Sequence, residues 1–303
     1  MVRRRSGHLF SSAARQSSIA LIVAGVLAGC SGFPGATDPV AARDRAHAVL
    51  DRWAHTAAGA GAASAVTPVG ELTAQIGDWE EAVGENNKIA LMSGMIGSPD
   101  GLSATRPPDG AVTWADGTTT NASLLSPQEA LAAISAGSQP CSDCTGLVVT
   151  GARVTSGPIE TTRGSATAPL WEFSLAGTAV KVTRVALANS VVVEPMFDGN
   201  PELGLAIDSA EGSVSGSELT LAFIGAPDGA EQSCGEDYTA EAIESDLAVV
   251  VIVTRHPHFP PLGGGCSAVG ARRTATATLA APLGERVVLD LQLGTPVRIE
   301  LAP

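Results

Sequence analysis

The sequence predicts an α+β protein, mostly antiparallel β: an N-terminal helix, then a β-rich α+β region over 61–197, then a small C-terminal β-sandwich or open barrel over 198–303. Three observations carry this expectation. Short apolar or β-branched runs of strand length recur from about residue 88 onward. Asp-Gly steps at Asp100, Asp109, Asp116, Asp198 and Asp228 punctuate them, and such dipeptides supply the positive φ of tight turns between antiparallel strands. A single amphipathic pattern of helical spacing precedes them all.

Asp38 followed by Pro39 reads as the cap and first residue of that helix. Ala46, Val49, Leu50, Trp53 and Ala57 then recur at helical spacing, which places the helix at about 39–57, before the glycines at 59–61. Its opposite stripe holds His47, Asp51 and His55, which could present two imidazoles and a carboxylate to a metal or form a solvated face with modest pair contacts. Beyond a Gly/Ala-rich linker, strands are expected at Lys88 to Ile96, Val112 to Trp114, Leu147 to Thr155, Leu170 to Leu175 and Val180 to Leu187. Ser126, Pro127 and Glu129 form a capping sequence that opens a short helix through about Ser135. The C-terminal region offers six strands: Glu218 to Gly225, Thr239 to Glu244, Leu247 to Arg255, Arg272 to Ala280, Val287 to Leu291 and Val297 to Leu301. Val249 to Val253 is continuously apolar and reads as a central strand, and Leu262 to Gly265 as a Gly-rich loop. Pro195, Gly199 and Pro201 mark the divide between the two β regions.

At 303 residues with 45% hydrophobic and only 16% charged, the chain is long enough for one large domain or two, and its composition excludes a disordered tail. The net charge is −13. Arg3, Arg4, Arg5 and Arg15 are the only charged residues among the first 29, so a chain without that segment carries −17. Such a chain repels nucleic acid and anionic headgroups, and no nucleic-acid partner is expected.

The leader pairs those four arginines with the ten-residue apolar core Ile19 to Ala28, the pattern of an export signal. As a helix this core rises about 15 Å, half of a bilayer core of about 30 Å, so it is a poor permanent span. Arg4 and Arg5 hint at twin-arginine export, but the residues after them fit that motif poorly, and general secretion is expected. Leu27-Ala28-Gly29-Cys30 resembles the lipobox of bacterial lipoproteins. The resemblance implies that the Cys30 thiol is acylated, that cleavage precedes it, and that residues 30–37 tether the protein to the outer face of the cell membrane, with the bilayer as its partner. The bland alternative is a cleaved, freely secreted protein in which Cys30 is incidental. Two further strings, CSDCTGLVVTGARVTSGPIETTRGSATAPLWEFSL from Cys141 and CSAVGARRTATATLAAPLGERVVLDLQLGTPVRI from Cys266, resemble segments of exported lipoproteins of high-GC Gram-positive bacteria. That likeness implies place and architecture and transfers no catalytic residues.

Apart from Cys30, four cysteines remain: Cys141, Cys144, Cys234 and Cys266. In an oxidising compartment two disulfides are expected, and three pairings exist. Cys141 with Cys144 and Cys234 with Cys266 is favoured, because the first pair spans a turn and the second lies within the β-rich region. Closing the longer loop stabilises by roughly 3.7 kcal/mol on the chain-entropy estimate, against about 2 for the short ring. A redox role or a structural zinc at the first pair is weaker, since the segment leads into a strand and not into a helix N-terminus that would lower a thiol pKa.

Catalytic signatures are sparse. No G-x-S-x-G, P-loop, H-E-x-x-H or S-x-x-K occurs, and the histidines beyond the leader are His47, His55, His256 and His258. His256 and His258, two apart in a Pro-rich stretch, are weak metal candidates. Asp198, Asn200 and Glu202 alternate as calcium ligands might, but Pro201 interrupts them and no twelve-residue loop follows. Asp78, Trp79, Glu80, Glu81 and Glu85 set an aromatic among acids, which suits a stacked sugar or cation or, more commonly, a core anchor. The expectation is a non-catalytic binding or interaction module with no cofactor, serving an unidentified envelope protein or ligand. A small-ligand carrier with a deep apolar pocket and a cell-envelope hydrolase are the alternatives.

Overall fold

The computed structural model describes residues 37–302 except 61–65, 80–83, 137–140, 189, 192, 194, 197–202, 259–265 and 267. The leader, Cys30, the stretch holding Asp198, Asn200 and Glu202, Glu80, Glu81 and the Gly-rich loop after Leu262 therefore lie outside the described residues. Helix α1 (Pro39–Ala60) begins where its cap predicts, with Asp38 Oδ1 accepting from Val40 N at 2.9 Å and Ala41 N at 3.2 Å. Its stripe of Ala42, Ala46, Val49, Leu50, Trp53 and Ala57 is buried throughout.

The first β layer is an eight-stranded sheet. Its centre is a long hairpin, β6 (Leu147–Thr161) with β7 (Gly164–Leu175), in antiparallel register from Thr161 opposite Gly164 to Val149 opposite Leu175, with one bulge near Val149. β1 (Pro68–Val69) pairs with β6, and β4 (Gly110–Trp114) pairs with β7 and with β5 (Thr119–Ala122). β8 (Lys181–Val185) lies along β7, and β2 (Thr73–Ile76) along β8. The short β3 (Ile96–Gly97) runs parallel to β6. Phe173, Leu147, Val112 and Trp114 anchor the cluster beneath this sheet.

Lys88 to Ile96 corrects a strand expectation: Asn87–Met92 is helix α2, and only Ile96 onward is extended. Lys, Ala, Leu and Met are good helix formers, and the run has no alternation that would favour a strand. Gly94, at φ +67°, closes the helix: Gly94 N donates to Leu91 O and Met95 N to Ala90 O, a Schellman ending. Helix α3 (Pro127–Ser135) has the expected capping box, with Ser126 Oγ accepting from Glu129 N and Glu129 Oε2 from Ser126 N. Arg106 together with this cap holds the Glu129 carboxyl down at about 2. Of the described Asp-Gly steps, those at Asp100 and Asp116 place their glycines at φ +73° and +83°; the glycines after Asp109 and Asp228 do not take positive φ.

The C-terminal residues form two sheets. One is four-stranded: β13 (Ala271–Thr278), β10 (Glu218–Gly225), β9 (Ser209–Gly212) and β15 (Arg298–Leu301), in that order. The other is β11 (Glu236–Glu244), β12 (Ala248–Pro257) and β14 (Val287–Asp290). The pairs β12–β14 and β9–β15 are parallel and the others antiparallel, and no described sheet closes into a barrel. β12 is central, as expected, and its unbroken apolar run has a simple cause. Ala248, Val250 and Ile252 pack with the α1 stripe, whereas Val249, Val251 and Val253 pack with Leu219, Leu221 and Phe223 of the other sheet. A strand covered on both faces has no wet side on which to place a polar residue. Arg43 of α1 pairs with Glu241 of β11, so helix and sheet are joined at the rim as well as through the core. All described residues belong to one compact unit.

Cys141 is bonded to Cys144 just before β6, and Cys234 to Cys266 between the ends of β11 and β13. This is the pairing favoured from sequence.

Candidate functional site

The tip of the β6–β7 hairpin builds the most organised surface feature. Thr161 is 1% exposed and its hydroxyl donates to Gly164 O at 2.7 Å while accepting from Arg163 N at 3.1 Å. That two-residue turn leaves Arg163 projecting, and its guanidinium sits 4.4 Å above the ring of Trp114. Trp114 comes from the neighbouring β4 and is fixed in turn by its indole N–H donating to Thr161 Oγ1 at 3.2 Å. A cation over a buried indole is favourable by about 1 kcal/mol or more, so the pair is preorganised and costs little further ordering on binding a ligand.

Two adjoining cavities, of about 490 Å³ and 800 Å³, share Trp114, Thr162, Arg163 and Glu285. The first reaches Trp53 and Ala57 of α1 and carries Thr67 and Thr120; the second reaches Asp116, Ser165 and Arg286. The Thr118 hydroxyl and N–H, with a contribution from the Arg163 charge, hold the Asp116 carboxyl below its usual range. Arg286 is locked by an ion pair with Glu244 and by donating to the carbonyls of Ala281, Pro282 and Leu283, which fixes the loop on that side of the cleft. The exposed Arg163 guanidinium, the exposed Ser165 hydroxyl and charges of both signs suit recognition of a polar ligand that carries an anionic group. None of the described histidines lines the cleft.

His256 and His258 lie elsewhere. His256 is exposed on β12, its Nε2 2.8 Å from Thr239 Oγ1, and His258 is exposed beside the Cys234–Cys266 bridge. The groups near them are already paired: Glu236 accepts from Arg255 and from the Tyr238 hydroxyl, the latter at 2.7 Å. Burial and the Glu236 carboxylate push the Tyr238 phenol up to about 12. Among the described residues, no three His, Cys, Asp or Glu side chains converge as a metal site would require. His47, Asp51 and His55 are exposed, with His55 Nδ1 near its own helix's Asp51 carbonyl. Trp79 is partly buried against the first core cluster and its indole N–H bonds Gln75 Oε1, the core-anchor arrangement.

The chain matches no family model, no curated protein and no solved structure. Its cleft is legible only through its own chemistry. Sequence reasoning passed over Trp114 and Arg163 because they lie 49 positions apart by numbering and neither sits in a motif. The available signal was Thr161-Thr162-Arg163-Gly164 between two strand-like runs, a hairpin turn that projects its arginine.

Proposed function

We propose that this chain is a lipid-anchored extracytoplasmic lipoprotein, held on the outer face of the cell membrane through an acylated Cys30, that binds a ligand or envelope partner in the Trp114–Arg163 cleft without transforming it. The two C-terminal sheets form a small open sandwich that carries one wall of the cleft. The observation that carries the binding reading is the Arg163 guanidinium held over Trp114 at the mouth of two joined cavities. The Leu27-to-Cys30 resemblance supports the anchor, and the two disulfides suit an oxidising exterior. No described helix is long and apolar enough to cross a membrane.

Fractionation of cells expressing Cys30→Ala tests the anchor. The variant is expected to leave the membrane fraction or to stay unprocessed, and mass spectrometry of the wild-type protein is expected to find a diacylated first residue; an unacylated one overturns the assignment. Arg163→Glu tests the cleft. Arg163 is exposed, so the fold should survive, while the lost cation–π group and the reversed charge lower affinity by about tenfold. Proximity labelling in intact cells should then lose envelope components captured by the wild type, and an unchanged labelled set removes the cleft from consideration.

A further inference from the structure

A second cavity, of about 750 Å³, shares no lining residue with the Trp114 cleft. It lies between edge strand β2, helix α2 and helix α3, and Leu72, Ala74, Leu91, Met92, Ala133 and Ile134 give it an apolar lining. Its charged lining residues are Arg184, Lys88 and Glu71. Arg184 projects from β8, opposite Thr73 in the sheet register, and donates from Nη1 to Thr73 Oγ1 at 2.9 Å.

The remainder of that guanidinium is unusually poorly compensated. Among the described residues its Nε is buried with no acceptor, and Arg184 takes part in no ion pair. Burial alone depresses its pKa, with no carboxylate raising it back. Arginine normally avoids this situation, because a partly buried cation without an anion is costly. Lys88 and Glu71 offset each other, so the cavity as a whole carries one positive charge in a chain of net charge −13. Met92 is 78% exposed at the rim, a large apolar surface next to the cationic interior.

We infer that this cavity binds a monoanionic amphiphile, an acyl chain ending in a carboxylate, with the carboxylate against Arg184 and the chain along Leu72, Leu91, Met92 and Ile134. A single net positive charge matches a monoanion, and a guanidinium fork matches a carboxylate in geometry. The apolar walls match a chain and offer a multiply charged headgroup nothing. The site is independent of the Trp114 cleft, and either can fail without the other.

Calorimetric titration of the purified protein with sodium decanoate, kept below its micelle concentration, tests the assignment. Decanoate should bind, with decanol and acetate each at least about tenfold weaker because each lacks one half of the recognition. Arg184→Gln should weaken decanoate by about tenfold or more, Arg184→Lys by less, and Lys88→Gln, at an exposed position that leaves folding untouched, by a few-fold. Thermal melts of each variant separate lost binding from lost folding. Absence of decanoate binding, decanol binding as tightly as decanoate, or decanoate affinity unmoved in a folded Arg184→Gln variant overturns the inference.

Discussion

Replacing Cys234 and Cys266 by serine together is expected to lower unfolding free energy by roughly 3.7 kcal/mol, while the same change at Cys141 and Cys144 costs about 2. The difference follows from loop size: the first bridge closes a sequence separation of 32 and the second a separation of 3. Local backbone offsets part of the first, because strain at Cys234 relaxes when the bridge is removed. Cys234 adopts φ +70°, a region a non-glycine residue occupies only when its surroundings hold it there. Here the bridge shares that task with two backbone bonds, Cys234 N to His258 O and His258 N to Gly235 O, each 2.9 Å. The sulfur link itself ties this turn to Cys266 just before β13, whereas the start of β11 is held against the end of β12 by the ladder that begins with Glu236 opposite Pro257. Urea unfolding of the two double variants, with the wild type in the presence and absence of reductant, measures both losses. Equal losses for the two bridges would contradict the loop argument.

Asp290 should be the most sensitive single polar position in the C-terminal half. Only 3% exposed at the end of β14, it accepts from Ile207 N at 2.8 Å through Oδ2 and from Leu293 N at 2.7 Å through Oδ1. Asp290→Ala leaves both donors without their acceptor, each at about 1–3 kcal/mol, for a loss of about 2–6 kcal/mol. The carboxylate also makes stability depend on pH. Burial pushes its pKa above 3.8, against the lowering effects of the backbone N–H groups of Leu293, Ile207 and Gln292 and of the Arg45 charge. A raised folded-state pKa means that the folded protein holds this proton more tightly than the unfolded chain. The contribution is fully present below pH 3.8 and is lost as pH rises through the folded pKa. Asp290→Asn, which keeps the shape, should abolish that component, so its urea midpoint should fall less than the wild type's as pH rises from 3.8. An identical pH slope in the two proteins would show that Asp290 does not titrate as its burial requires.

Much of the local structure was legible in the residues. The Asp38 cap, the α1 stripe ending at Ala57, the Ser126 capping box and the span of β10 follow from short-range rules about caps and periodicity. The disulfide pairing was legible too, because cysteines three apart at a turn leave the other two to each other. What failed locally was Lys88 to Ile96, where a run too short to show a period was read as a strand against the helix propensity of Lys88, Ala90, Leu91 and Met92. The short strands β1, β2, β5 and β9 went unseen for a similar reason. With two to four residues each, they are extended because a neighbouring strand supplies hydrogen bonds, and their own sequences are nearly neutral.

The functional surfaces belong to a different category. The continuous Val249 to Val253 run determined by itself that β12 must be covered on both faces, yet nothing near it specified that α1, some two hundred residues earlier, supplies one cover. Arg163 meets Trp114 because hairpin length, bulge and sheet order bring one turn beside another strand. Arg184 bonds Thr73 but joins no ion pair among the described residues, because β2 and two helices meet around it without bringing a carboxylate into salt-bridge range. Sequence windows encode the conformational preferences of neighbours, whereas a cleft is made of side chains whose proximity exists only after chain entropy has been spent on long-range contacts. The amino-acid order therefore determined the elements and their caps, and the packing of distant elements alone decided where a ligand could sit.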